Sequence, residues 1–164
     1  MTIDFSRRRA TGLLIAAPAA FTLTARGARA ANLPVVEVYK SATCGCCKDW
    51  IKHLEANGFA SIRAYDVGNA KKRADVGMSL RYGSCHTALV DGYVVEGHVP
   101  AREIKRLLKE RPKAVGLAVP GMPLGSPGME VDDGRVDAYD VLLVQKDESA
   151  TVYATYARKA PRGA

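Results

Sequence analysis

The sequence predicts an α/β domain in which helices flank a mixed central sheet. Strand-like and helix-like segments alternate between residues 33 and 111, and Asp91-Gly92 joins two short apolar runs as a tight-turn pair. The 164 residues are 48% apolar and 25% charged, as in an ordinary globular chain. Because a typical domain has about 100–200 residues, we expect one domain over residues 31–164, preceded by a removable N-terminal segment.

The first half of this domain is predicted to alternate strand and helix. The elements are a strand over residues 33–40, a helix over 46–57, a second strand over 61–67 and a weaker helix over 69–80. In the first helix, Cys47, Trp50 and Leu54 share one face at helical spacing. A cysteine cluster therefore lies where the first strand enters the first helix.

A hairpin and a third helix follow. Residues 86–91 and 93–96 form the hairpin, Pro100 opens the helix and Pro112 ends it. A sheet built in this order, with cysteines at the first helix start, resembles the thioredoxin fold. The C-x-x-C spacing of Cys44 and Cys47 is also found in that superfamily.

The C-terminal third is predicted to be a long loop followed by a closing hairpin. Glycines and prolines recur throughout residues 116–129, and their spacing excludes a helix or a central strand there. A loop of this length is usually functional or disordered. Residues 139–144 and 151–156 form the closing hairpin, and residues 158–164 form a tail.

The first 30 residues are predicted to be an export signal. Arg7-Arg8-Arg9 forms a charged start, residues 13–23 form a short apolar stretch, and Ala28-Arg29-Ala30 is a small-x-small cleavage site. The mature chain would begin near Ala31, in the periplasm, without a membrane span. The paired arginines resemble a twin-arginine signal, although bulky apolar residues do not follow them. The alternative is an N-terminal tail on a cytosolic protein.

The net charge of +7 does not indicate a nucleic-acid partner. Five of the 24 basic side chains, but only one of the 17 acidic side chains, lie in the first 30 residues. The rest of the chain has no dense basic stripe with interleaved aromatic residues. We therefore expect no nucleic-acid binding.

The cysteines are the strongest chemical signal. Cys44, Cys46 and Cys47 lie within four residues at a helix start, where backbone N–H groups and the helix dipole favour thiolate. In thioredoxin-like folds the loop before the third strand faces this point, and here that loop carries Cys85. His86 occupies the place of the usual proline. The alternative is inert buried cysteine.

Three chemistries are open to these four thiols. As disulfides, Cys44–Cys47 with Cys46–Cys85 is the expected pairing of the three that are possible. A zinc site would usually take two separated pairs of ligands, whereas three thiols crowd one turn here. Crowding suits bridging thiolates, and soft thiolates select Cu(I), so we prefer one or more copper ions.

Other side chains are candidate ligands. Met122 and Met129 each follow a glycine in the long loop and offer soft thioethers, or they are apolar plugs that close the loop. His86 adjoins Cys85 and is a candidate ligand or outer donor. His98 precedes the third helix, where a capping or packing role is equally open, and His53 lies on a polar helix face and is expected to be solvated.

Five motifs in order resemble the CopG-type periplasmic copper-resistance proteins. They lie at residues 39–47, 84–88, 92–101, 116–123 and 125–130. The resemblance implies a thioredoxin-like domain that binds copper as Cu(I) through Cys44, Cys46, Cys47 and Cys85. It extends to His86, Met122 and Met129 only as members of matching motifs.

Two other functions compete with copper binding. The first is a thiol-disulfide or copper-linked oxidoreductase in which Cys44 attacks and Cys47 resolves; Cys46 and the displaced proline disfavour it. The second is a zinc-stabilised interaction module. We expect a monomer whose partners are copper ions and other periplasmic copper-handling proteins.

Overall fold

Residues 33–160 are described by a computed structural model, in which seven strands form one mixed sheet. The strands are β1 (Val36–Lys40), β2 (Ile62–Tyr65), β3 (His86–Val90), β4 (Tyr93–Glu96), β5 (Gly116–Ala118), β6 (Tyr139–Val144) and β7 (Ala150–Tyr156). The helices are α1 (Gly45–Ala56), α2 (Ala70–Asp75) and α3 (Ala101–Glu110), with a 3₁₀ turn at Leu80–Tyr82. The predicted export signal lies outside these residues. Within them, no helix is long and apolar enough to cross a membrane.

The sheet order is β2-β1-β3-β4-β5-β6-β7. β1 runs parallel to β2 and antiparallel to β3, and β3 runs antiparallel to β4. The predicted α/β class with a mixed sheet is therefore confirmed. The predicted β3–β4 hairpin is also confirmed, since Asp91 and Gly92 both have positive φ, at 48° and 86°, as a two-residue turn of this kind requires.

The second helix is shorter than the sequence predicted. α2 ends at Asp75, and Gly77 adopts a φ of +70° immediately afterwards. The N–H of Gly77 donates to the Ala74 carbonyl, and the N–H of Met78 donates to the Arg73 carbonyl. This pair of bonds is a Schellman ending, which a glycine in the left-handed region makes possible.

The prediction that residues 116–129 contain no central strand is wrong at Gly116–Ala118. These three residues are buried and form β5, which pairs in parallel with β4 and antiparallel with β6. Gly116 allows this contact because a Cβ there would lie 1.8 Å from the Val94 oxygen. The prolines begin only at Pro120, so they leave β5 intact. The predicted closing hairpin, now β6–β7, thereby joins the main sheet.

Two apolar clusters fix the layers of the fold. The larger one packs α1 and α3 on the sheet through Trp50, Leu54, Ile104 and Leu107, all of them buried. The smaller one gathers residues of the opposite sheet face with the segment after α2: Met78, Tyr82, Val94, Ala118 and Val144. One face of the sheet is thus covered by α1 and α3, and the other by the segment after α2.

His53 is a helix cap, contrary to the prediction that it is only solvated. Its side chain is partly buried, and its Nε2 accepts a hydrogen bond of 3.1 Å from the N–H of Ala101, the first residue of α3. Pro100, at the N-cap position, provides no side-chain cap itself. Burial lowers the pKa of His53, with an opposing effect from Glu130 and a smaller lowering effect from Lys105.

This cap predicts a pH-dependent stability. Because the pKa of His53 is lower in the folded chain than in the unfolded one, the unfolded chain takes up a proton more readily, and stability falls as pH drops through about 6.5. We expect the loss of unfolding free energy between about pH 7.5 and about pH 5 to be smaller in His53→Gln by about 1 kcal/mol. Chemical denaturation at both pH values measures it. Other histidines are common to both proteins and cancel, so equal losses would contradict the cap.

Candidate metal centre

All four cysteines lie together at the start of α1. Cys44 is the N-cap residue of the helix, Cys46 and Cys47 lie in its first turn, and Cys85 lies directly before β3. The Sγ of Cys46 is 3.5 Å from that of Cys44 and 3.8 Å from that of Cys85. The Sγ of Cys47 is 3.5 Å from that of Cys85. The fold therefore brings Cys85 next to cysteines that lie almost 40 residues earlier in the chain, as the sequence predicted.

The cluster is half oxidised in this structure. Cys44 and Cys47 form a disulfide, whereas Cys46 and Cys85 are free thiols. The first bond of the expected disulfide pairing is present and the second is not. Reduction of the one disulfide would provide four sulfur ligands whose Sγ atoms lie within 4.8 Å of one another. Such a group can hold a soft cation, and thiolates so close can also bridge two ions.

Two buried histidines extend the site on the other side of Cys85. The Cys85 Sγ lies 3.0 Å from His98 Nε2 and 3.4 Å from His86 Nδ1. Both imidazoles are fully buried. The Nδ1–H of His98 donates to the Pro127 oxygen at 2.8 Å, which leaves the Nε2 lone pair facing the thiol. Cys85 thus belongs both to the four-cysteine group and to a Cys85–His86–His98 group.

Sequence reasoning left His98 open between a metal ligand and a capping or packing residue. The register of the β3–β4 hairpin could have placed His98 next to Cys85. Thr87 pairs with Glu96 in the ladder between β3 and β4. Continuing that antiparallel register by two residues places Cys85 opposite His98.

Burial favours the uncharged forms of Cys85, His86 and His98 when no metal is bound. It raises the pKa of the Cys85 thiol to about 12, with a further contribution from Cys46. It lowers the pKa of His86 to about 3, with a further effect of His98, and it lowers the pKa of His98 as well. Neutral imidazole offers a nitrogen lone pair, which is the form that binds a metal. Within residues 33–160, His86 Nε2 is a buried polar atom without a hydrogen-bond partner, an arrangement that native interiors rarely leave unexplained.

Trp50 packs against the histidine side of the site. Its side chain is fully buried, its ring centroid lies 4.3 Å from that of His86, and its Nε1–H donates to the Val99 oxygen at 2.9 Å. The tryptophan therefore fixes His86 and the segment after His98 relative to α1. The sequence predicted Trp50 only as a core residue of the helix.

The loop over residues 125–129 packs directly on α1. Gly128 lies so close to the helix that a Cβ there would be 2.6 Å from both the Cys46 oxygen and the Trp50 nitrogen. The neighbouring Pro127 carbonyl orients His98. One turn of this loop therefore contacts both the cysteine helix and a histidine.

The methionines lie in segments next to the site. Met129 is partly buried and directly follows Gly128. Met122 is 52% exposed and follows Gly121, whose N–H donates to the Gly83 oxygen at 3.1 Å. Ligation by either thioether stays a prediction.

Comparison with known proteins finds a family profile and two similar solved structures. A protein-family profile described as "Protein of unknown function, DUF411" matches residues 82–129, which include Cys85, His86 and His98. No curated protein matches the chain. A solved structure named "Copper resistance protein copG- Form 1" is 48% identical, with a TM-score of 0.71, and the match covers 76% of this chain and 98% of that one. A second, named as Form 2, is 49% identical with a TM-score of 0.70 and the same coverage.

The close approach of Gly128 predicts a loss of stability in Gly128→Ala. The added methyl group would have to displace backbone atoms of α1, so we expect the free energy of unfolding to fall by about 1–3 kcal/mol more than in Gly121→Ala. Gly121 is the matched control, because its φ of +70° resembles the +84° of Gly128 while no atom lies within 4 Å of its Cβ position. Chemical denaturation measures both, and equal losses would show that Gly128 does not pack on α1.

Proposed function

The chain belongs to the CopG-type copper-resistance family, and from that premise we propose that it holds copper as Cu(I) for copper resistance or homeostasis. One observation carries the proposal: the four cysteine sulfurs converge within 4.8 Å of one another at the start of α1. His86 and His98 extend the ligand set through Cys85. Met122 and Met129 are proposed as further, outer ligands.

We further propose that the domain is thioredoxin-like. The order β2-β1-β3-β4, the helix α1 directly after β1 and the cysteines at its start support this assignment. β5, β6 and β7 then extend the same sheet beyond the minimal fold. Within residues 33–160 all peptide bonds are trans, and Cys85-His86 stands where such folds place a proline before the third strand.

The donor set fits a soft ion better than a hard one. Sulfur and neutral imidazole nitrogen converge here, whereas α1 has no acidic residue in its first turn. Soft thiolates favour Cu(I), and imidazole is compatible with it. When bound, copper supplies a soft Lewis acid. The chain's own residues hold the thiolates close enough to bridge. Cys47 is buried and the other three cysteines are partly buried, which restricts the access of water.

We propose that the protein acts in the periplasm. Residues 1–30 would direct export and be removed near Ala30/Ala31, leaving a monomeric domain that exchanges copper with other periplasmic copper-handling proteins. The mass of the chain recovered from a periplasmic fraction tests the cleavage point.

A thiol-disulfide or copper-linked oxidoreductase is the second candidate, because Cys44 and Cys47 form a disulfide at C-x-x-C spacing. The contacts of Cys46 and Cys85 with this pair favour metal binding, since a dithiol enzyme needs no third and fourth thiol in contact. A zinc-stabilised module is the third candidate, and competition between Zn²⁺ and Cu(I) for the reduced chain distinguishes it.

The copper proposal predicts the result of a Cu(I) titration. The reduced chain, titrated without oxygen against a competing chelator, is expected to bind one or more Cu(I) ions. Cys46→Ser should bind fewer ions, or bind them at least about 10-fold more weakly, because even the residues that support metal ligands contribute about 10–100-fold to affinity. Thr43→Ser, an exposed neighbour of Cys44, is the control and should bind like the unmodified chain. Weak binding that is unchanged in Cys46→Ser would reject the copper site and favour the oxidoreductase.

The disulfide predicts that copper capacity depends on redox state. A Cys44–Cys47 bond occupies two of the four ligand sulfurs, so the oxidised chain should bind fewer Cu(I) ions than the same chain after a phosphine has delivered two electrons to the disulfide. Titration of both forms, after removal of the phosphine, measures the difference. Equal capacity in the two forms would exclude Cys44 and Cys47 as ligands.

A further inference from the structure

A buried ion pair contacts the loop that carries Cys85. Arg73 of α2 is 9% exposed and Glu96 of β4 is fully buried, and Arg73 Nε–H donates to Glu96 Oε1 at 2.8 Å. Glu96 lies on the sheet face that carries Val94 and the smaller apolar cluster, because alternate residues of β4 share a face. The pair is therefore separated from α1 by the sheet.

The ion pair binds both the N–H and the carbonyl oxygen of Ser84. The N–H of Ser84 donates to Glu96 Oε1 at 2.8 Å, and the Ser84 oxygen accepts from Arg73 Nη2 at 2.7 Å. Asn69 Nδ2 donates to the same oxygen at 3.1 Å. Ser84 directly precedes Cys85, so these charged groups hold the backbone on one side of the thiol.

The other side of the thiol is held by the same carboxylate. The hydroxyl of Thr87 donates to Glu96 Oε2 at 2.6 Å. Gly97, next to Glu96, approaches Ser84 so closely that a Cβ on Gly97 would lie 2.6 Å from the Ser84 Cβ. His98 follows and places its Nε2 on Cys85. Glu96 thus fixes the segment of Cys85 relative to the strand end that carries His98.

We propose that Arg73 and Glu96 are positioning residues that set the place of Cys85 between the cysteine group and the histidines, and through it the affinity for Cu(I). The proposal rests on the copper-binding function. A buried ion pair is by itself weak evidence for a gain in stability, because apolar side chains often replace one without loss. Here, however, both charges also bind the backbone beside a ligand.

The geometry of Arg73 gives the proposal a sharp test. Its guanidinium reaches Glu96 through Nε and Ser84 through Nη2 at once. A lysine would keep the charge but lacks the rigid fork, so one ammonium group would have to serve both partners. Arg73→Lys therefore separates the positioning of Ser84 from the compensation of the buried Glu96 charge.

The experiment compares Arg73→Lys and Glu96→Gln with two matched controls in the full chain. Arg106→Lys is the first, since Arg106 also joins a carboxylate, Glu110, to a backbone carbonyl, that of Tyr153. Glu103→Gln is the second, since Glu103 is a 4% exposed, arginine-paired carboxylate on α3. All four are titrated with Cu(I) while folded. Iodoacetamide labelling of the metal-free, reduced chains then compares tryptic peptide 82–102, which carries Cys85, with peptide 41–48.

We expect Cu(I) affinity to fall by about 10–100-fold in Arg73→Lys and Glu96→Gln, and by less than about 2-fold in the controls. The labelling of Cys85 relative to the other cysteines should rise several-fold in the same two variants only. Variants that lose stability but keep unmodified affinity and labelling would overturn the proposal. If the unmodified chain binds no Cu(I), the copper function fails, and the labelling ratio still decides whether the ion pair positions Cys85.

Discussion

The packing of Trp50 is the constraint on which the candidate site depends. Its ring contacts His86, its indole N–H binds the Val99 oxygen, and its backbone lies against Gly128. These contacts join α1, β3, the start of α3 and the loop after β5, which come from separate parts of the chain. A soft-metal site needs its ligands within a few ångströms, and a rigid buried side chain that packs on several segments helps to hold candidate ligands on them that close.

The groups around Cys85 are uncharged, whereas the ion pair of Arg73 and Glu96 lies on the other face of the sheet. Burial disfavours charge on Cys85, His86 and His98, so sulfur and neutral nitrogen face one another around Cys85. The charges of Arg73 and Glu96 lie across the sheet, where they bind backbone rather than ligand. This division keeps the Glu96 carboxylate away from the thiols, which suits a soft cation, and it makes the position of Cys85 depend on side chains on the other face of the sheet.

Much of the architecture could be predicted because local signals agreed with it. The helical spacing of Trp50 and Leu54 and the Asp91-Gly92 turn each specify an element from neighbouring residues. β5 was missed because three residues give no periodic signal and the glycines and prolines around them indicate a loop. The role of His53 was missed because its partner, the N–H of Ala101, belongs to a helix 48 residues away.

By itself the sequence determined the α/β class and the cysteine cluster at the start of α1, because these follow from local patterns. The convergence of Cys85 on the cluster was implied by the resemblance to thioredoxin-like folds. Only the tertiary structure decided that His98 contacts Cys85, that Pro127 orients it and that Arg73 and Glu96 hold Ser84. The physical reason is that hydrogen bonds and burial act over about 3 Å between side chains distant in sequence. A linear pattern records which residues are present, whereas the packing of Trp50 and Gly128 sets which of them meet.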